Sequence, residues 1–441
     1  MSPQGTIVAL ATAPAAGAVG ILRLSGPAAL EVGRRLAPGV PVSPVPRHAY
    51  LASFVDVAGR PLDEGLFLYF RAPHSFTGED VVELQAHGSP RLLQLLLARV
   101  LEDARVRPAH AGEFTRRAFL HGRMDLTRAE AVADLVAADS EAAVRAAAAG
   151  LSGGLATRVR ALEEPLRALH ADLEGVLNFP EEAEGADEDA GPRVAALRAE
   201  AEALLADSGR GRLVRRGARV ALYGPVNAGK STLFNRLVGE ARALVDDEPG
   251  TTRDVLEARV EWNGLALSLL DTAGLRETPG RVEALGIART REALAAVDLA
   301  LLVLPPGASP AEAEAWRREA GATPVLRVAG KCDVARPPED GGLPVSGKTG
   351  EGLEPLRAAV LSRLWGEGTP AAVALVSERH ADALRRTAEA LGRAHEASRL
   401  STLEVLSGEV GLALEALGEV SGTSASEALL DAIFQRFCIG K

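Results

Sequence analysis

One segment constrains the fold of this chain more than any other, the glycine loop at residues 224–231. It follows a strand-like apolar run, 219–223, and precedes residues 232–238, which have helical spacing. In this order of strand, glycine loop and helix, backbone N–H groups and a helix N-terminus can face one anion. The pattern Gly-x-x-x-x-Gly-Lys-Ser therefore predicts a phosphate loop, in which Lys230 reaches the β- and γ-phosphates and the Ser231 hydroxyl ligates Mg²⁺.

The motifs after the phosphate loop indicate a magnesium-dependent nucleotide site. Asp271-Thr-Ala-Gly274 ends the apolar run 265–270, where the aspartate can hold Mg²⁺ through water and Gly274 can sense the γ-phosphate. Thr252, within the motif at 250–254, would complete the Mg²⁺ shell. These residues predict a bound nucleoside triphosphate with its metal ion.

Two further motifs indicate which base is bound. Gly330-Lys-Cys-Asp333 follows the strand-like run 325–329, and its aspartate can accept two hydrogen bonds that guanine offers and adenine does not. Ser346-Gly-Lys348 follows the run 343–345 and would pack beside the base. Because the motifs occur in order after strand candidates, we expect GTP rather than ATP.

One position departs from the usual guanine motif, which begins with asparagine where this chain has Gly330. The asparagine normally ties the base-binding loop to the phosphate loop. We therefore expect Gly330 to lower the affinity for guanine nucleotides by about one hydrogen bond, ~0.5–1.5 kcal/mol.

Composition limits the classes of protein to which the chain can belong. Its 441 residues suit about three domains, and a net charge of −10 means that any nucleic-acid contact must be a local patch. Two cysteines, Cys332 and Cys438, make no disulfide framework and suit a reducing compartment. Without a spanning segment or a signal-peptide layout, we expect a cytoplasmic protein with no membrane contact.

Arginine has displaced lysine almost everywhere in this sequence. Lysine occurs only at Lys230, Lys331, Lys348 and Lys441, and the first three lie in the nucleotide motifs. An ammonium and a guanidinium are not interchangeable at a tight site. The C-terminal Lys441 is therefore a candidate functional lysine, with a chance terminal lysine as the alternative.

The pattern of apolar residues predicts a small mixed α+β domain at 1–120. It has four strand candidates and one helix, at residues 6–10, 20–24, 66–70, 80–84 and 91–101. Helical spacing dominates 121–216, including a seam from Val159 to Val176 with a possible kink at Pro165. The acidic run 181–189 is expected to be a solvated loop rather than a metal site.

Capping boxes are predicted where Thr127 precedes Glu130 and where Ser424 precedes Glu427. Beyond the first, Ala129, Val132, Ala133 and Val136 should form one apolar face; beyond the second, that face is made by Leu429, Leu430, Ile433, Phe434 and Phe437.

A nucleotide-binding domain at 217–368 separates this helical region from a second one at 369–441. The predicted fold class therefore combines a small α+β N-terminal domain, a discontinuous helical domain and an inserted Ras-like P-loop GTPase domain of α/β type.

Several blocks besides the nucleotide motifs carry a family resemblance. They are residues 6–9 with 20–26, 75–80 (Ser-Phe-Thr-Gly-Glu-Asp), 112–116 (Gly-Glu-Phe-Thr-Arg), 125–131 (Asp-Leu-Thr-Arg-Ala-Glu-Ala) and 438–441 (Cys-Ile-Gly-Lys). With them, the chain resembles the MnmE (TrmE) family of tRNA-modification GTPases over essentially its whole length.

That resemblance implies a cytoplasmic homodimer built through the N-terminal domain. It also implies a heterotetramer with the FAD- and NADH-dependent partner MnmG (GidA). Together the two proteins would modify carbon 5 of the wobble uridine of certain tRNAs. The group added is of the aminomethyl or carboxymethylaminomethyl type, made with a one-carbon unit from a tetrahydrofolate derivative.

Residues matching the family's folate contacts are Arg23, Glu83, Arg123 and Lys441. Arg123 stands where the family often has lysine, so the chain departs from the family pattern at that contact. Cys438 matches a cysteine implicated in the modification, and its alternative is a small apolar filler beside Phe437.

The resemblance further implies a potassium-activated GTPase whose domains pair across the nucleotides. Leu275 follows the Asp-Thr-Ala-Gly motif and cannot orient water as a glutamine does. Glu283 matches the residue that positions the attacking water, with a solvated helix-face glutamate as the alternative. The K⁺ ligands would be Asn227, Asp246, Glu248 and Thr251.

These considerations give one set of candidate residues. The predicted catalytic residues are Asn227, Lys230, Glu283 and Cys438. The predicted GTP-binding residues are Asn227, Ala228, Gly229, Lys230, Ser231, Thr232, Asp246, Asp247, Glu248, Pro249, Gly250, Thr251, Thr252, Asp271, Thr272, Ala273, Gly274, Gly330, Lys331, Cys332, Asp333, Ser346, Gly347 and Lys348.

Two other functions compete with this interpretation. A ribosome-assembly GTPase would share the nucleotide motifs, but it has no reason to carry the N-terminal block or the tail 438–441. A membrane-associated scaffold GTPase lacks support because the sequence has no spanning segment and no basic amphipathic helix.

Overall fold

The computed structural model describes residues 5–179, 188–206, 208–240, 242–243, 256–272, 290–337, 342–366, 377–400 and 402–440. The chain forms two compact units. The first consists of Met1–Ala133, Leu151–Arg198 and Arg386–Lys441, and the second of Asp134–Gly150 and Ala199–Arg385. The four predicted domain ranges stay predictions.

A six-stranded sheet forms the N-terminal part of the first unit. Its strands are β1 (Thr6–Leu10), β2 (Gly17–Ser25), β3 (Ala49–Val55), β4 (Pro61–Phe70), β5 (Val81–Gly88) and β6 (Val106–Pro108). Their order is β3-β4-β5-β2-β1-β6, and all neighbours are antiparallel except β1 and β6. All four predicted strands exist. β2 extends beyond the predicted bounds at both ends and β4 at the start, β5 is shifted toward a later end, and β3 and β6 were not predicted.

Two helices, α1 (Ala29–Leu36) and α2 (Pro90–Leu101), pack on this sheet. Leu22 and Leu24 of β2, and Val82 and Leu84 of β5, are buried in the core they share with the helices. Successive side chains of a strand point to opposite faces. Residues 23 and 83 therefore lie on the other face of the sheet.

Further helices follow this sheet in the chain, and they are divided between the two units. In chain order they are α3 (Glu113–Leu120), α4 (Leu126–Ala137), α5 (Glu141–Leu151), α6 (Gly154–Asn178), α7 (Ala190–Ala206) and α8 (Ser208–Arg216). The predicted seam lies in α6, where Val159, Leu162, Leu166, Leu169 and Leu173 are buried. Pro165 lies inside this helix, as predicted.

The second sheet has seven strands. They are β7 (Ala218–Tyr223), β8 (Arg242–Ala243), β9 (Leu256–Trp262), β10 (Leu265–Asp271), β11 (Leu299–Leu304), β12 (Val325–Gly330) and β13 (Leu343–Val345). Their order is β13-β12-β11-β7-β10-β9-β8. The five strands from β13 to β10 are parallel, and β9 and β8 are added antiparallel.

Helices accompany this sheet and resume after it. They are α9 (Lys230–Glu240), α10 (Pro310–Glu319), α11 (Leu353–Trp365), α12 (Glu378–Leu400), α13 (Leu403–Ser421) and α14 (Glu427–Phe434). In the first unit α13 packs along α6, and α14 packs against α3. A small α+β domain, a discontinuous helical region and an inserted P-loop domain are all present, so the predicted fold class is confirmed.

The capping box predicted at Thr127 is wrong. Thr127 lies inside the first turn of α4, and Asp125 accepts a hydrogen bond of 2.9 Å from the backbone N–H of Arg128. Thr127 and Asp125 both carry a short oxygen-bearing side chain. Only Asp125 precedes the helix, so its oxygen accepts a hydrogen bond from a backbone N–H of the first turn. The predicted apolar face also ends early, because Val136 is 46% exposed.

The second predicted capping box, at Ser424, is wrong for the same reason. Helix α14 begins at Glu427, and Ser426 is the residue whose Oγ accepts the N–H of Leu429, at 3.2 Å. The predicted apolar face of this helix is confirmed, since Leu430, Ile433 and Phe434 are buried.

A buried arginine joins three segments of the first unit. Arg117 is 1% exposed and pairs with Glu79 at 2.9 Å and with Glu113 at 2.9 Å. Glu79 also accepts a hydrogen bond from Ser25, and Glu113 accepts two from Arg107. Burial raises the pKa of Glu113, but hydrogen bonds led by that from Arg107 outweigh it and lower the pKa to about 2.

In the described residues, no helix combines the length and the apolar character that crossing a membrane requires. The two cysteines are free, with Cys332 buried and Cys438 exposed.

Replacing the buried arginine should destabilise the first unit alone. We expect Arg117→Met to lower the free energy of unfolding by about 3 kcal/mol, because Glu79 loses its charged partner in a buried setting. Arg60→Met is the matched control. Arg60 is 80% exposed in its pair with Asp56, so its loss should cost less than about 1 kcal/mol.

The measurement is urea unfolding followed by two signals. All three tryptophans, Trp262, Trp316 and Trp365, lie in the second unit, so their fluorescence reports that unit. Arg117→Met should shift the transition seen by circular dichroism and leave the tryptophan transition in place. Equal stability of the two variants would contradict the importance of the buried pair.

Candidate functional site

The phosphate loop, residues 224–231, connects β7 to α9. β7 ends at Tyr223, as the sequence predicts, and α9 begins at Lys230, two residues before the predicted helical run. Asn227 has φ +61° and Gly229 has φ +98°, the left-handed region in which a chain can turn its N–H groups toward one point. This strand, loop and helix have the arrangement of an anion-binding cradle.

Lys230 is held across this loop by backbone oxygens. Its side chain is buried, and Nζ donates to the carbonyl oxygens of Gly224 at 3.1 Å and Pro225 at 2.8 Å. A cavity of about 270 Å³ opens beside it. Residues of the loop line this phosphate cavity together with Tyr223, Thr232, Thr272, Thr290, Trp316 and Lys331. Both Lys230 and Ser231 face a space that suits phosphate oxygens and a metal ion.

The predicted Mg²⁺ aspartate lies in the neighbouring strand. β10 pairs with β7 in parallel register, with Asp271 opposite Leu222, and Asp271 is 1% exposed. Thr272 Oγ1 donates to the carbonyl oxygen of Leu222 at 2.9 Å. The end of β10 is thereby fixed beside the start of the phosphate loop, the position predicted from the motif.

A second cavity, of about 340 Å³, lies at the ends of β12 and β13. Its lining includes Gly229, Thr232, Gly330, Lys331, Asp333, Gly347 and Lys348. We call it the base cavity. It shares Gly229, Thr232 and Lys331 with the phosphate cavity, so the two spaces meet at the phosphate loop.

Two predicted residues of this region are buried. Ser346 is fully buried, and its Oγ accepts the N–H groups of Lys348 at 3.2 Å and Thr349 at 3.1 Å. It therefore shapes the loop that carries Gly347 and Lys348. Cys332 is also buried, and burial raises the pKa of its thiol, which stays neutral at physiological pH.

Several predicted site residues lie outside the described residues. They are Asp246, Asp247, Glu248, Pro249, Gly250, Thr251, Thr252, Ala273, Gly274, Glu283 and Lys441. Among the residues that the structure describes, no three His, Cys, Asp or Glu side chains form a metal-binding group.

A second polar cluster lies on the face of the N-terminal sheet that is opposite α1 and α2. Arg23 and Glu83 are opposite each other in β2 and β5, and two guanidinium nitrogens of Arg23 lie 2.8 Å from Glu83 Oε1. The guanidinium carbon of Arg23 is 5.8 Å from the ring centre of Phe76 and 5.9 Å from that of Phe114. Sequence reasoning missed these two rings, although they belong to the blocks 75–80 and 112–116.

Arg123 is exposed and lies along the loop that carries Phe76. A Cβ on Gly78, whose φ is +82°, would be 3.4 Å from Cγ of Arg123. The stem of Arg123 therefore packs on the backbone of residues 75–80.

The C-terminal tail lies against the end of β1. The backbone N–H of Gly112 donates to the carbonyl oxygen of Cys438 at 3.4 Å. A Cβ on Gly440 would be 2.2 Å from the carbonyl oxygen of Leu10, so only glycine permits this approach. β1 is the neighbour of β2, which carries Arg23, and the exposed Cys438 thus belongs to the same unit as the Arg23 cluster.

Two sequence profiles and a solved structure are similar to parts of this chain. The sequence profile described as the MnmE helical domain matches residues 126–438, and the profile described as the GTP-binding protein TrmE N-terminus matches residues 6–123. The G domain of the T. maritima FeoB iron transporter covers 33% of this chain and 98% of that domain at 27% identity, with a TM-score of 0.27.

Curated relatives match along the whole length. The tRNA modification GTPase MnmE of Myxococcus xanthus (strain DK1622) is 81% identical over 440 residues, covering 100% of both chains. That of Alkalilimnicola ehrlichii is 43% identical over 450 residues and covers 99% of both. With two family profiles and full-length relatives in agreement with its motifs, this chain belongs to the family of the tRNA modification GTPase MnmE.

Proposed function

We propose that this protein binds GTP, hydrolyses it with Mg²⁺, and acts in the modification of tRNA. The observation that carries the nucleotide part is the meeting of two cavities at the phosphate loop. One is lined by the buried Lys230 and by the exposed Ser231, and the other by Asp333 and Lys348. A guanine nucleotide would place its phosphates in the first and its base in the second.

The roles follow from charge and position. Lys230 neutralises the β- and γ-phosphates, while Ser231 and Thr252 serve Mg²⁺, with Asp271 acting through water. The metal ion supplies positive charge where the leaving phosphate becomes more negative. Phosphoryl transfer needs little covalent help from the protein, so fixed positions and fixed charges provide most of the rate.

Asp333 is proposed as the reader of the base. Its exposed carboxylate lines the base cavity, where it can accept the two guanine donors. Asp333→Asn should change the preferred base from guanine to xanthine. It should also weaken GTP binding at least about tenfold, because a hydrogen bond to a charged group is worth about 1.5–3 kcal/mol.

The measurement is competition between GTP and xanthosine triphosphate in a titration of each variant. Glu354→Gln, at an 82% exposed position of the same unit, is the control and should keep the wild-type preference. Undiminished preference for GTP in Asp333→Asn would remove Asp333 from the base site.

We further propose that hydrolysis depends on K⁺ and on Glu283. K⁺, held by Asn227 with Asp246, Glu248 and Thr251, would place positive charge beside the transferring phosphoryl group, as an arginine finger does. Support comes from Asn227, whose positive φ puts it at the turn of the phosphate loop and in the lining of the phosphate cavity. Glu283 would position the attacking water that Leu275 cannot.

Hydrolysis should therefore be faster in KCl than in NaCl at equal ionic strength, and Asn227→Ala should remove most of the difference. Glu283→Ala should slow turnover about 10²–10⁴-fold, the range for a group that positions or deprotonates a nucleophile. The control is Glu292→Ala, at an exposed position nearby in sequence, which should keep the wild-type rate. Equal rates in the two salts would rule out the K⁺ role.

For the N-terminal domain we propose a tetrahydrofolate site at Arg23, Glu83, Arg123 and Lys441. The ion pair of Arg23 with Glu83 supports it, since it offers a charged donor and acceptor beside the flat rings of Phe76 and Phe114. A pteridine ring is flat and has hydrogen-bond donors and acceptors at its edge, which suits such a surface. Cys438, exposed on the docked tail, is proposed to take part in the modification step.

The wider role proposed is that of the family. A cytoplasmic homodimer, joined through the N-terminal domain, would act with the FAD-dependent MnmG in a heterotetramer on carbon 5 of the wobble uridine. Leu51 and Leu66, which are opposite each other in β3 and β4 and are 71% and 38% exposed, support a partner on that sheet face.

The folate site can be tested separately from the nucleotide site. Arg23→Ala should weaken the binding of a tetrahydrofolate derivative about tenfold or more, because a charge-assisted contact is lost, and GTP affinity should stay unchanged. Calorimetric titration of both ligands measures the two effects. Arg91→Ala, at an exposed position of α2, is the control, and unchanged folate affinity in Arg23→Ala would exclude Arg23 from the site.

A further inference from the structure

The end of β12 meets the phosphate loop through backbone alone. A Cβ on Gly330 would lie 2.6 Å from the carbonyl oxygen of Ala228 and 3.1 Å from Cγ1 of Val303. Side-chain Cβ atoms essentially never approach another heavy atom within 3.0 Å. Since the obstacle at 2.6 Å is a backbone oxygen, no rotamer change can relieve it.

A second contact lies one residue further on. Lys331 has φ +58°, and its side-chain carbons Cγ and Cε would be 3.6 and 3.7 Å from a Cβ on Gly229. The stem of Lys331 therefore extends along the phosphate loop at Gly229. The first contact joins Gly330, which lines the base cavity, to Ala228 of the phosphate loop, and the second is between Lys331 and Gly229, which line both cavities.

We infer that Gly330 is a positioning residue for guanine recognition, which sets the distance between the base-reading loop and the phosphate loop by direct backbone packing. It replaces the side-chain tie of asparagine with a closer approach of the two backbones. Restoring asparagine here should therefore weaken GTP binding rather than strengthen it. The inference rests on the proposed assignment of the base cavity to guanine and deepens it.

The consequence concerns selectivity as well as affinity. A side chain at 330 would move the end of β12 away from Ala228, and Asp333 follows three residues later on the same loop. Asp333 would then meet the guanine edge in a poorer geometry while the phosphates stay in their cradle. Guanine has an exocyclic amino group that can donate to Asp333, whereas the base of inosine has none. The difference in affinity between GTP and inosine triphosphate therefore measures this change.

The test compares GTP and inosine triphosphate binding in wild type, Gly330→Ala and Gly330→Asn. We expect both variants to bind GTP about tenfold or more weakly, with a smaller loss for inosine triphosphate, so that the GTP preference falls. Gly239→Ala is the control, because a Cβ there meets no atom within 4 Å. It should behave as wild type.

The outcomes separate this inference from the proposed function. Wild-type or tighter GTP binding by Gly330→Asn, or by Gly330→Ala with its single added methyl group, would overturn the inference. Absence of GTP binding by the wild-type protein would instead overturn the proposed function. Equal losses of affinity for GTP and inosine triphosphate would also overturn the positioning role, since they would indicate a general structural defect. Tryptophan fluorescence, from Trp262 and Trp365 in the core of this unit, checks that the variants fold.

Discussion

The parallel pairing of β7 with both β10 and β11 is the constraint on which the nucleotide site depends. Strands that run in the same direction bring their carboxyl ends to one edge of the sheet. The phosphate loop, Asp271, Asp333 and Lys348 are scattered over more than a hundred residues of sequence, and each follows or ends one of the parallel strands β7, β10, β12 and β13. Every residue of β11 is buried, so the sheet that aligns them is held by its own core.

The N-terminal domain achieves a similar alignment by another means. Alternation along β2 and β5 puts leucines and valine into the core shared with α1 and α2 and leaves Arg23 and Glu83 on the opposite face of the sheet. The loop 75–80, which supplies Phe76, is tied to α3 by the buried charge of Arg117. Such a cluster is costly to assemble and specifies one arrangement of its segments, because any other would leave a charge unpaired.

Local patterns were sufficient to predict the phosphate loop, the order of the motifs and the strands that precede them, because each depends on a few neighbouring residues. They did not predict β3, β6, β8, β9 or β11. They failed where two similar residues competed, as with Thr127 and Asp125 for the start of α4. They also failed where partners come from distant segments, as with Arg117 and the rings around Arg23. Gly330 shows a third limit: its motif predicted a lost hydrogen bond, while the space available to it depends on Ala228, a hundred residues earlier.

Because lysine is scarce in this sequence, most of its lysine side chains line the phosphate cavity or the base cavity. Lys331 and Lys348 are exposed and line the base cavity, while Lys230 is buried in the phosphate loop. Reagents and metabolites that acylate primary amines find few other side chains on this protein to attack. Acylation, which on most proteins is spread over many surface amines, would here fall mainly on the lining of the base cavity.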